Sequence, residues 1–165
     1  MQLNSLKDLY IEQLRDLYSA EDQLIKALPE MARAASHDEL RKGFEQHLEQ
    51  TRQHKQRLEE VFSSLGERPG GEHCEAMEGL VKEGKEILQM GGDRSVKDAA
   101  LIAAAQRVEH YEIAGYGTVA TFAEMLGRGD DKTTLGKTLE EEKKTDDKLT
   151  KLAKQVVNKD ALQQA

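Results

Sequence analysis

The chain has 165 residues, a third of them charged, with a formal net charge of −7, two prolines, no tryptophan and one cysteine. That length suits one domain around one core, and the acidic balance, with basic residues interspersed among acidic ones, removes the electrostatic footprint of a nucleic-acid binder. No apolar run approaches membrane-spanning length, the N-terminal "MQLNSLKDLYIEQL" has no apolar signal-peptide segment, and a lone Cys74 excludes an intrachain disulfide; a cytoplasmic protein with no membrane partner is expected.

The composition favours Ala, Leu, Glu, Lys and Gln, which form helices, and strand-type alternation is absent, so an all-α fold is predicted. The first helix is expected over about residues 5–35, capped by Asn4 or Ser5, with Pro29 inside it as a candidate kink. The second runs over about 38–65 and stops at Gly66, before the break "GERPGG". A shorter amphipathic helix follows over 73–89. The fourth spans about 95–126, between "GGD" and "GRGDD", and the last about 132–157, followed by a tail "NKDALQQA" expected to fray. Short connections make the first and second long helices one antiparallel hairpin and the last two another. Two hairpins joined by a crossover of about thirty residues give the connectivity of a ferritin-like four-helix bundle, with the short helix in the crossover.

At 100° per residue each long helix shows an apolar stripe interrupted by polar residues near its middle. The first carries Tyr10, Leu14, Leu17, Leu24, Ile25 and Leu28, with Glu21 in the centre. The second carries Phe44, Leu48, Leu58, Phe62 and Leu65, with Thr51 central and His47 and His54 near one edge. The fourth carries Ile102, Ala105, Ile113, Tyr116, Ala120 and Ala123, with Glu109 inside the stripe and Glu112 toward its edge. The last carries Leu135, Leu139, Leu149, Ala153 and Val156, with Glu142 and Asp146 within it. Helix middles share one level in an antiparallel bundle, so these polar groups are expected to converge on a single layer.

Several carboxylates buried together repel one another and lose their hydration. Protons, basic partners or bridging divalent metals would have to compensate. No Lys or Arg falls in the centre of a stripe, Lys55 being the nearest. Oxygen donors with imidazole suit iron or manganese, and i,i+3 and i,i+4 pairs aim two side chains at one point. The metal candidates are therefore Glu21, His47, His54, Glu109, Glu112, Glu142 and Asp146, with iron, as a dinuclear pair, or manganese as the cofactor. A hydrogen-bonded, metal-free layer that fixes bundle register is the alternative for the same residues.

The stretches "DLYSAEDQL", "HLEQTRQHKQRLEEVF", "AMEGL", "KDAALIAAAQRVEHYEIAGYGTVATFAEMLG" and "TLEEEKKTDDKLTKLA" resemble the YciE/YciF family of ferritin-like bacterial stress proteins, over nearly the whole chain. The resemblance implies four long helices plus a short one, a homodimer and a cytoplasmic stress-linked protein without a settled reaction. More distantly, "VEHYEIAGY" is similar to the third-helix motif of rubrerythrins, in which an E-x-x-E pair serves a di-iron site. That similarity implies Glu21 as the single first-helix ligand, Glu109 and Glu112 as the third-helix pair, and Glu142 as the fourth-helix Glu. Two positions depart from the pattern: Thr51-x-x-His54 stands for E-x-x-H, and Glu142-x-x-x-Asp146 for E-x-x-x-H. His47, one turn earlier, offers partial compensation. No C-x-x-C rubredoxin module is present.

Remaining features have plainer readings. Tyr18 and Tyr116 flank the layer as core residues that need a hydroxyl partner. Gly115 and Gly117, each unfavourable in a helix by about 1 kcal/mol, suggest close helix approach. The run "EEEKKTDDK" reads as a solvated face apart from Glu142 and Asp146. Cys74 reads as structural. The short helix either covers the bundle or forms a dimer interface.

Overall fold

The structure, a computed structural model, describes residues 3–164. Four long helices, α1 (Leu6–Ala34), α2 (Asp38–Leu65), α4 (Arg94–Met125) and α5 (Gly129–Leu152), form the bundle. The short α3 (Glu75–Gln89) lies in the crossover, and α6 (Asn158–Leu162) closes the chain. No strand occurs among the described residues. The pairs α1–α2 and α4–α5 pack most extensively, as hairpins do, and α3 lies across α1 and α4. Its Met77 is fully buried and Leu80, Val81 and Leu88 pack on the core, so α3 covers the bundle.

Local chemistry sets the boundaries. Ser5 caps α1, its hydroxyl accepting the Asp8 N–H at 3.1 Å. The helix continues through Pro29. Gly66 ends α2 at φ 69°, where a side chain is strained, and Glu67 N–H returns to the Phe62 carbonyl at 3.0 Å. The turn into α2 is fixed from a distance. Asp98 of α4, buried, accepts the backbone N–H groups of Ser36 and His37 at 2.9 and 2.8 Å. Asp93 caps α4 through the N–H groups of Ser95 and Val96.

The last helix departs from expectation at both ends. It begins at Gly129, three residues before the predicted start. A π-helical turn, Ala153–Val157, then joins it to α6, so Asn158–Leu162 is helical rather than frayed. A π turn inserts one residue into the α repeat. The inward positions accordingly run Leu149, Ala153 and Val157, and Val157 takes the core place that simple periodicity gives to Val156.

The core is divided in two. One apolar segment contains Leu24, Leu28, Phe44, Leu101, Ile102 and Leu149. The other contains Tyr10, Leu14, Leu17, Leu58, Phe62, Tyr116 and Leu135. Between them every long helix contributes buried polar side chains: Glu21 from α1, His47, Thr51 and His54 from α2, Glu109 and Glu112 from α4, and Thr138 and Glu142 from α5.

Of Gly115 and Gly117, only Gly115 reflects close approach. A Cβ there would lie 2.7 Å from Leu17 Cδ2, whereas one on Gly117 would meet nothing within 4 Å. Cys74 is buried at the head of α3, its sulfur 3.1 Å from the Tyr111 hydroxyl. Its N–H donates to Ser19 Oγ at 3.0 Å, and its carbonyl accepts from Gln23 at 3.0 Å, which ties the crossover to α1.

Candidate metal centre

The polar layer is a consequence of helical register. On α2, His47 and His54 are two turns apart and face the same way. Thr51 fills the turn between them, its hydroxyl donating to the His47 carbonyl at 2.8 Å. On α4, Glu109 and Glu112 sit three apart on one face. Glu21 and Glu142 enter from α1 and α5. All six ionisable groups are at most 4% exposed, Glu112 completely enclosed.

Their donor atoms converge. His47 Nε2 lies 3.0 Å from Glu109 Oε1 and 4.0 Å from Glu142 Oε2. His54 Nδ1 lies 2.7 Å from Glu142 Oε1 and 3.7 Å from Glu21 Oε1. These approaches lack hydrogen-bond alignment. Glu21 Oε2, both nitrogens of His47, His54 Nδ1, Glu109 Oε2 and all four oxygens of Glu112 and Glu142 have no hydrogen-bond partner. Buried polar atoms are rarely left in that condition. Within the layer, two sets have donor atoms within 4.8 Å of one another: His47, Glu109, Glu112 and Glu142, and Glu21, His54 and Glu142. Glu142 belongs to both.

The electrostatics follow from enclosure. Burial, only partly offset by His54, pushes the Glu21 carboxyl up to about 7. Burial raises Glu109 to about 8 against the pull of His47, and drives Glu112 well above the carboxylate range with repulsion from Glu142 and Glu21 added. Burial alone would lower His47, but Glu109, Glu142 and Glu21 outweigh it and lift the imidazole to about 9. Burial would also raise Glu142, yet His54 and His47 hold it below its ordinary value. Without a cation the layer retains protons at neutral pH, which is how crowded carboxylates relieve their repulsion.

Outer contacts orient two donors. His54 Nε2 donates to Glu141 Oε2 at 2.9 Å. Arg57 holds that carboxylate through two bonds of 2.6 and 3.1 Å and reaches Thr138 at 3.0 Å. With its proton on Nε2, His54 turns the Nδ1 lone pair toward Glu21 and Glu142. The Tyr116 hydroxyl of α4 donates to Glu21 Oε1 on α1 and leaves Oε2 free. Glu141 and Arg57 escape a sequence reading because Glu141 lies in an acidic run that looks like solvated surface. The only signal is the spacing His54-x-x-Arg57, which puts an imidazole and a guanidinium on one side of α2.

Asp146 does not join the layer. It lies one turn beyond Glu142 and is rotated about 40° further around the helix. Its oxygens accept from Gln106 at 3.1 Å and approach His110 Nε2 at 3.2 Å on the α4 side. Tyr18 also turns away, donating to Glu59 at 3.0 Å under the ammonium of Lys55. Lys55 itself pairs with Asp22 at 2.8 Å, outside the layer.

The family model for a domain of unknown function, DUF892, matches residues 5–162. The chain belongs to the DUF892 family. It is 48% identical to Protein YciF of Escherichia coli K12 over 162 residues, 98% of each chain. The crystal structure of the E. coli stress protein YciF superposes with a TM-score of 0.91, covering 94% of this chain and 99% of that one. YcfI from Rhodopseudomonas palustris, 44% identical, superposes with a TM-score of 0.87 over 90% of this chain and 95% of its own. A protein from Xanthomonas campestris, 17% identical with a TM-score of 0.76, covers 97% of this chain and 99% of its own and shares the fold. This DUF892 chain is thus a YciF homologue with a ferritin-like helical bundle. None of its described helices is long and apolar enough to cross a membrane.

Proposed function

We propose that the layer is a dinuclear metal site for iron, or manganese, in a stress-response protein. The observation that carries this reading is the set of buried donor atoms without hydrogen-bond partners, grouped in two clusters that share Glu142. Glu21, His54 and Glu142 would hold one ion, His47, Glu109 and Glu112 the other, with Glu142 between them.

The donor inventory supports it. Ferritin-like di-iron proteins use four Glu and two His, as single Glu residues on two helices and Glu-x-x-His on the other two. This chain keeps four Glu and two His but redistributes them: both imidazoles are on α2 and two carboxylates on α4. The Glu absent at Thr51 is offset by the second Glu of the Glu109/Glu112 pair, and the His absent at Asp146 by His47. Charge supports it as well, since four carboxylates with neutral imidazoles balance two divalent cations.

Loaded with iron, such a pair supplies oxidation of Fe(II) by dioxygen or peroxide. The protein's part is to bind and orient. Glu141 and Arg57 fix the His54 tautomer. Tyr116 holds one Glu21 oxygen and directs the other inward. The two apolar core segments exclude bulk water from the two ends of the layer. The reading includes a homodimer and a cytoplasmic location, both supported by the family resemblance; sedimentation equilibrium tests the first.

Metal analysis of protein purified without chelator, alongside Glu21→Ala and Glu109→Ala, is the test. About two ions per chain, lost in the variants, is expected. Negligible metal that the substitutions do not alter sinks the proposal. The close His–carboxylate approaches favour a second reading, a metal-free polar layer in a protein that acts through a protein partner. Under that reading chelator leaves thermal stability unchanged.

A further inference from the structure

The bundle is open between α2 and α5. A cavity of about 370 Å³ enters there and runs inward to His47 and Glu109. That is within the size range of small-molecule sites. Its walls are apolar: Leu24 and Leu28 from α1, Phe44 from α2, Val108 from α4 and Leu149 from α5, all buried. The mouth has a different character. Lys42 on α2 and Lys148 and Lys151 on α5 are exposed at it, against a single acid, Glu39. Lys42 and Lys148 have no carboxylate partner among the described residues, while Lys151 is tied to Asp147 at 2.5 Å.

The cavity therefore has polarity. The inner end adjoins the buried carboxylates, the middle is hydrocarbon and the rim is cationic. The π turn belongs to the same feature. By inserting a residue at Ala153–Val157 it leaves Leu152, Gln155 and Val156 on the cavity while Val157 stays in the core. Such turns are irregular and often mark functional sites.

We propose that this cavity binds a straight-chain aliphatic carboxylate, with the carboxylate at the Lys42/Lys148 rim and the chain directed inward toward His47 and Glu109. The reverse orientation would bring an anion against the buried carboxylates. A cationic amphiphile would have to drag its charge through the apolar segment or meet the lysines. The chain buries against leucine and phenylalanine walls, which is favourable per unit of apolar area. The site is formed by protein side chains alone and stands whether or not the layer binds metal.

The test is isothermal titration of the full chain, metal-loaded and chelator-treated, with octanoate, decanoate and dodecanoate, and with decanol and decyltrimethylammonium as head-group controls. One-to-one binding of decanoate that strengthens with chain length is expected in both preparations, with the ammonium compound not binding. Lys42→Glu combined with Lys148→Glu should weaken decanoate at least about tenfold, as charge reversal opposite an anion does, and leave decanol unchanged. Gly43→Phe should block every chain. Gly43 lies at the mouth, and a Cβ there meets nothing within 4 Å, so the backbone admits a side chain; circular dichroism of the variant checks that it folds. The proposal is overturned if free decanoate does not bind saturably, if decyltrimethylammonium binds as well, or if Gly43→Phe leaves binding intact. Co-sedimentation with phosphatidylglycerol vesicles without binding of free decanoate also overturns it, assigning the surface to a membrane.

Discussion

Replacing Glu112 by Met separates a metal site from a structural polar layer. Glu112 is completely enclosed, and neither carboxylate oxygen has a hydrogen-bond partner. Its surroundings raise its pKa through burial, then repulsion from Glu142, Glu21 and Glu109. In the metal-free protein this group therefore opposes folding. A buried polar group left unsatisfied costs about 1–3 kcal/mol, and Met has similar length and flexibility without polar oxygens. Glu112→Met should accordingly stabilise the chelated protein by about 1–3 kcal/mol. For a chain of this size that corresponds to a rise in Tm of roughly 2–12 °C. The same substitution removes a donor, so the upward shift of Tm on adding Fe(II) or Mn(II) should shrink sharply. Differential scanning calorimetry of wild type and variant, each with chelator and with metal, gives all four values. If Glu112→Met lowers the Tm of the chelated protein, the carboxylate contributes to register and packing, and the reasoning from unpartnered oxygens is wrong.

Other outcomes follow from the same geometry. Glu21 (to about 7), Glu109 (to about 8) and His47 (to about 9) all have raised pKa values in the folded state. The stability they contribute is full below their unfolded values and is lost as pH climbs through the folded ones, so the Tm of chelated protein should fall between about pH 4.5 and pH 9. Metal must displace those protons, so its apparent affinity should rise over the same interval, with proton release measurable by titration calorimetry in buffers of different ionisation enthalpy. Glu141→Ala should weaken metal binding by about 10–100-fold by freeing the His54 ring, while Asp146→Ala leaves it unchanged; equilibrium dialysis reads both. Gly115→Ala, whose new methyl would strike Leu17 at 2.7 Å, should cost about 1–3 kcal/mol in urea unfolding, whereas Gly117→Ala should gain about 0.5–1 kcal/mol.

The polar layer has a consequence for folding as well as for binding. It interrupts what would otherwise be one continuous hydrocarbon core, so the two apolar segments communicate through groups that repel unless compensated. The capping contacts lie elsewhere: Asp98 at the α1–α2 turn and the Cys74–Ser19–Gln23 bonds at the crossover. Removing metal should therefore loosen the bundle's middle before its ends, a pattern open to hydrogen exchange.

Helical periodicity by itself determined the four long helices, their hairpin pairing and the level at which Glu21, His47, His54, Glu109, Glu112 and Glu142 lie. It could do so because an α-helix converts spacing directly into azimuth and height. Tertiary structure decided what azimuth leaves open. Asp146 sits only about 40° from Glu142 on its helix, yet α4 offers it Gln106 and His110, so it leaves the layer. Glu141 looks like surface charge until α2 brings His54 and Arg57 to it. The π turn changes which valine is buried, because one extra residue shifts every later side chain around the axis. The cavity between α2 and α5 is invisible in any single helix, since it is the space left where two hairpins fail to close. Spacing along one helix is local information; which neighbour a side chain meets depends on how the hairpins pack together.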